Sequence, residues 1–241
     1  MAMNNPAARL HNILSLCRQK ELAGQPMLKA WGKVLGLPED MEEILIVSKV
    51  GKVFTLPARI TTEISRFDDL DQRLFLGWRQ DLAKALKNVR FDAQFNHYTQ
   101  HLSDTLLINI EFCSHELSKR QPEKMVEQDV LNELKEMACK LYDDVVAAKL
   151  DLQLSRYLLD HLYMVIEAID DYLITGSGGL ETSVDAVVGT FLTKRNLAAQ
   201  AKESPFGKRF WETLGRIALA LNLAKTALQL GEGIGNLIAE K

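Results

Sequence analysis

From residue 78 to residue 175 the chain contains no glycine, and its only proline there is Pro122. Average usage would place about seven glycines in a stretch of that length. Glycine and proline are the residues that turn or break backbone, so a stretch without them is built from long elements. The apolar residues inside it recur at steps of three and four, the spacing of one helical face. The expected fold class is therefore all-α, a bundle of about seven to nine helices.

The N-terminal part is more punctuated. Asn5 before Pro6 reads as an N-cap and first helical residue, and Leu10, Ile13 and Leu14 mark one face. The segment Gly24 to Pro26 closes that helix. Met27, Leu28, Trp31, Val34 and Leu35 form a second, stopped by Gly36 with Pro38 just beyond. Residues 38–56 have two readings. PEDMEEILIVSKV suits a helix with acids in its first turn. The β-branched residues of ILIVSK and KVFTL suit a short β-hairpin near residues 44–56.

Beyond Pro57 the stripes lengthen. Ile60, Ile64 and Phe67 lead into Leu70, Leu74, Trp78, Leu82, Leu86 and Val89, with Asp68, Asp69 and Asp71 marking a helix start inside the run. Phe91, Phe95, Tyr98, Leu102, Leu106, Ile110, Cys113 and Leu117 continue the pattern. The run LLINIEF adds apolar residues off that stripe, so this helix is expected to be covered on several sides. Val130, Leu131, Leu134, Met137, Leu141 and Val145 form the next stripe, and Leu154, Leu158, Leu162, Val165, Ile169 and Leu173 another. A loop is expected at Gly176–Gly179, a helix over Thr182–Ala201, and a last helix capped by Ser204-Pro205. The soft boundary lies near 57–67, between a small N-terminal helical unit, 1–57, and a main bundle, 58–241. A single domain is the alternative, and the Gly176–Gly179 loop is a second candidate hinge.

Composition narrows the classes. The chain has 241 residues, of which 47% are hydrophobic, enough for a sizeable core. Its net charge of −3 gives no general attraction to nucleic acid or anionic membranes. Charge is uneven: residues 151–190 carry acids against the single base Arg156, and residues 191–216 are rich in bases. Cys17, Cys113 and Cys139 are widely spaced and form no CxxC pair, as expected of small apolar residues in a reducing cytosol. The N-terminus lacks a secretory pattern. The most apolar window, Ile217–Leu230, is interrupted by Asn222, Lys225, Thr226 and Gln229 and is too short to span a bilayer.

Catalytic motifs are weak. His97 and His101 stand at i, i+4, the spacing of two metal ligands on one helical face, but no HExxH surrounds them. Asp160, Glu167, Asp170 and Asp171 form an acidic group that suits a solvated face. GEGIG at 231–235 follows a helix and lacks the strand of a nucleotide-binding loop. Cys113-Ser114-His115 matches no nucleophile pattern. No cofactor is called for.

The most suggestive segment is TKRNLAAQAKESPFGKRFW, 193–211. Lys194, Arg195, Lys202, Lys208 and Arg209 could hold phosphates while Phe210 and Trp211 stack on bases. Alternatively, the aromatics anchor the last helix in the core under lysine stems. Leu214, Ile217, Leu219, Leu221, Leu223, Leu228 and Leu230 do not fit one narrow stripe, so that helix is expected to be buried in its own core or against another subunit. The leading expectation is a non-catalytic helical adaptor, a subunit of a larger cytosolic complex. It would use its C-terminal helix for a protein partner or for self-association. A bacterial defence or toxin-control module is one setting for such subunits, with no residue pointing to it. A nucleic-acid-binding accessory protein using segment 194–211 is one alternative. A metal-dependent enzyme with a site inside the bundle, through His97 and His101 or the acids of 160–171, is another.

Overall fold

The computed structural model describes residues 4–222 and, within them, every side chain except those of residues 191, 192, 195, 198 and 202. Leu223, Leu228, Leu230 and the Gly231–Gly235 run lie outside the described residues. The chain divides into two compact units, 1–123 and 124–241. Both are helical, and among the described residues there are fourteen α-helical segments and no strand.

The first unit comprises α1 (Pro6–Cys17), α2 (Met27–Val34), α3 (Glu43–Val53), α4 (Leu56–Ile64), α5 (Gln72–Leu76), α6 (Trp78–Leu86), α7 (Asn96–Thr99) and α8 (Asp104–Arg120). Asn5 caps α1: its Oδ1 accepts from Ala8 N at 2.9 Å. Its Nδ2 donates to Ser114 O at 2.9 Å and to Ser118 Oγ at 2.8 Å, so the same residue ties α1 to α8. α2 ends as its sequence predicts. Leu37 N donates to Gly32 O at 2.8 Å and Gly36 N to Lys33 O at 3.2 Å, the paired bonds of a Schellman stop. Trp31 is fully buried, edge-on to Phe54 at 5.8 Å and to Phe95 at 5.7 Å. Such aromatic contacts contribute about 0.5–1.5 kcal/mol each beyond the area they remove from water.

Two expectations for this unit are corrected. The hairpin near 44–56 does not form, because Ile46, Val50 and Val53 fall on one buried face of helix α3. One isolated antiparallel bridge, Pro26 to Gln94, lies elsewhere. The 91–117 stripe is two helices: α7 ends at Thr99, and the Ser103 hydroxyl starts α8 by accepting from Leu106 N at 3.1 Å. α8 is covered on several sides as expected, by α1, α4, α5 and α6, but Ile108 and Phe112 of its apolar run stay exposed. The position 57/58 falls inside α4, and α1 packs on both α4 and α8. Helices from either side of that position therefore share one core.

The second unit comprises α9 (Gln128–Ala147), α10 (Leu152–Asp170), α11 (Tyr172–Thr175), α12 (Ser177–Thr193), α13 (Arg195–Glu203) and α14 (Pro205–Ala220). Its core is aliphatic: Leu131, Leu134, Leu141, Leu154, Leu158 and Leu162 are buried against one another and against Leu180, Leu214 and Ile217. The predicted stripes of α9 and α10 supply most of it. The 176–179 loop contracts to one residue. Gly176 alone turns the chain, at φ +65°, and Ser177 already begins α12. The helix expected over 182–201 is broken at Lys194 into α12 and α13. Ser204 caps α14 as predicted, its Oγ accepting from Phe206 N at 3.3 Å. At Gly207 an added Cβ would lie 1.6 Å from Ala201 O, so α13 and α14 approach at a distance only glycine permits.

Candidate functional site

The basic-aromatic segment spans the α12–α13 break and the start of α14. Lys194 is exposed at the junction between α12 and α13, beside Thr193, Asn196 and Leu197. Lys208 and Arg209 are exposed on the first turns of α14. Arg209 donates to Asp144 on α9 at 2.7 Å. Further along, Arg216 meets Glu133 at 3.3 Å. These two arginines thus pair with acids of α9. The side chains of Arg195 and Lys202 lie outside the described set.

The aromatics of this segment face inward. Phe210 is fully buried, 6.4 Å from the His161 ring and edge-on to Trp211 at 5.2 Å. Trp211 is half-buried and packs on the same core. His161 is itself buried, with Nδ1 2.6 Å from Tyr157 O. That nitrogen carries the proton and donates, because the carbonyl can only accept. Phe206, Phe210, Leu214, Ile217 and Leu221 run at helical spacing, and this was the signal in the sequence for an inward aromatic face. Leu219 is the exposed exception on α14, at 63%.

His97 and His101 are not brought together on a helix. α7 stops at Thr99, His101 lies in the following turn, and both side chains are exposed. Among the described residues no three His, Cys, Asp or Glu side chains are placed to hold a metal ion.

The first unit carries a surface that periodicity did not find. α5 lies along α8, and between them runs a groove of about 440 Å³ lined by Leu74, Phe75, Asn109, Phe112, His115, Glu116 and Lys119. Leu74 is 72% exposed, Phe112 57% and Ile108, one turn earlier on α8, 48%. Single exposed apolar residues are ordinary; here Leu74 and Phe112 line one concavity and Ile108 lies one turn away on the same helix.

The groove wall is held by charge. Asp71 caps α5 by accepting from Arg73 N at 2.9 Å. Arg120, at the end of α8, makes two bonds to Asp69, at 2.9 and 2.6 Å, and sits over the Phe67 ring at 4.8 Å. The Arg120 hydrogen bond holds the Asp69 carboxyl below its ordinary value. Lys119, 2.7 Å from Glu116, does the same for that carboxyl, with Arg120 assisting. Behind the groove, Cys113 donates to Phe75 O at 3.1 Å, and burial pushes its thiol up to about 11.

The ends of this unit are fastened together. Buried Arg9 on α1 meets Glu123 at 2.6 Å, and Arg59 on α4 reaches the same carboxylate at 3.6 Å. No helix among the described residues is long and apolar enough to cross a membrane. No protein-family model, curated protein or solved structure matches this chain.

Proposed function

We propose that this chain is a non-catalytic helical interaction protein, a subunit of a larger assembly that binds through its outer surface. The observation that carries this reading is the exposed apolar group Leu74, Ile108 and Phe112 around the α5–α8 groove. Since each is already partly buried, covering the rest would contribute about 1–2 kcal/mol apiece. Lys194, Lys208 and Leu219 give the second unit an exposed surface of its own around α14. The three cysteines are free thiols, which supports a reducing, cytosolic setting.

The nucleic-acid alternative is weakened by the position of Phe210. A stacking platform needs an exposed ring, and this one is in the core. What remains for that alternative is the charge of Lys194, Arg195, Lys202, Lys208 and Arg209 beside the half-buried Trp211.

The test is affinity purification of the full chain at low salt beside two variants, Phe112→Glu and the double Lys194→Glu, Lys208→Glu. Loss of a specific protein partner with the first, and its retention with the second, is the expected result. Binding to nucleic acid that falls steeply with salt and vanishes in the second variant would replace the adaptor reading with its alternative.

A further inference from the structure

We infer that the occupant of the α5–α8 groove is a second copy of this chain, bound with its α8 antiparallel to the first about a two-fold axis at Phe112. This rests on the interaction-protein reading and adds the identity of one partner.

The exposed residues of α8 include Thr105, Ile108, Phe112, His115 and Lys119. Their steps alternate three and four, the spacing of a seam between two paired helices. α8 is long enough for such a seam: its 17 residues extend about 25 Å.

A two-fold axis at Phe112 sets each residue before it opposite one equally far after it. Ile108 of one copy then lies over Glu116 of the other. Glu116 is in the groove, with Leu74, Phe75, Asn109, Phe112 and Lys119 around it. The exposed Ile108 is the plug and the groove is the socket. They stand one turn apart on the same helix, so a symmetric pair fills both sockets at once. This is the self-complementarity of an isologous interface, which closes at two copies.

Charge fixes the direction. The same axis brings Asp104, at the start of α8, to Lys119 and Arg120 at the end of its mate. Asp104 pairs with Arg18 of α1 and Lys119 with Glu116, yet their side chains are 79% and 69% exposed, so each still presents charge to a mate. Antiparallel pairing sets opposite charges together at both ends and opposes the helix dipoles. Parallel pairing would set Asp104 against Asp104 and Lys119 against Lys119.

The experiment is sedimentation velocity on the full chain, over a concentration series reaching roughly one hundred micromolar, where even a micromolar interface is filled. The wild type is expected to move from monomer to dimer mass. Phe112→Glu and Ile108→Glu are each expected to remain monomeric at the top concentration. Asp104→Lys alone and Lys119→Glu alone weaken the dimer at least tenfold, and the double variant restores it, because the swap exchanges the two ends of the same seam. All four positions are exposed, and circular dichroism of each variant must match the wild type, because Asp104→Lys also removes the Arg18 pair and Lys119→Glu the Glu116 pair.

A wild type that stays monomeric throughout the series overturns the proposal. So does a dimer indifferent to Phe112→Glu and Ile108→Glu, or a double charge variant as weak as the singles. A monomeric wild type that still captures a different protein through Phe112 overturns self-pairing and keeps the interaction reading. A monomer that captures nothing overturns both.

Discussion

The two units use opposite strategies to reach a helical core. The first gathers short helices around aromatic rings, with Phe54, Phe95 and Tyr98 each against Trp31. The second stacks long helices, α9 of 20 residues and α10 of 19, through leucine and valine. Short helices contribute little stability of their own and need caps and tertiary anchors, which Asn5 provides at α1 and Asp71 at α5. Long amphipathic helices need only a continuous apolar face. The groove lies in the first unit, where the short α5 covers α8 only in part.

That contrast is open to measurement. The largest effect is expected from Phe210→Ala in the second core, a loss of about 3–5 kcal/mol, the range for emptying a buried aromatic site. Hydrogen exchange reads the units separately, and protection should fall throughout residues 124–222 while α1 and α8 keep theirs. Equal loss in both units would break the comparison. Glu123→Ala comes next. It removes the carboxylate that pairs with the buried Arg9, leaving the bond to Asn4 Oδ1, and should cost the first unit about 3 kcal/mol in urea denaturation. An unchanged midpoint would show that the fastening is not needed.

Gly207→Ala should cost about 1–3 kcal/mol as α13 and α14 are pushed apart, read as a lowered melting temperature. The smallest effect is in acid. Arg120 lowers the Asp69 carboxyl from its ordinary value near 3.8. The associated stability is fully present above that value and is lost as pH falls through the lowered one. Asp69→Asn should therefore flatten the acid limb of a melting-temperature titration only slightly, because the pair lies in water.

The sequence was most legible where structure is local chemistry. Asn5 and Ser204 cap where a polar side chain precedes proline, and Gly36 stops α2 through two bonds within its own turn. The leucine stripes of α9 and α10 were legible because one repeating face decides their burial. Breaks made without glycine or proline were not, as at Lys194 and between Thr99 and Ser103. A stripe carries on across such a break, so counting stripes gave fewer helices than the chain forms. Ile108 and Phe112 were read as covered because LLINIEF is apolar on two flanks. Which flank meets water depends on where α5 lies along α8, a contact between distant parts of the chain. Phe210 was ambiguous for a similar reason: a ring between bases serves a core or a ligand according to the direction α14 presents it.

The Arg9–Glu123 and Asn5–Ser114 ties have a mechanical consequence. They bring the beginning and the end of the first unit to one place, like the clasp of a bracelet. Tension applied to those ends would load two short polar fasteners in shear before any helix could peel away. A circularly permuted version, its old termini spliced by a brief linker and new ones cut in the turn after α6, would keep every one of these grips.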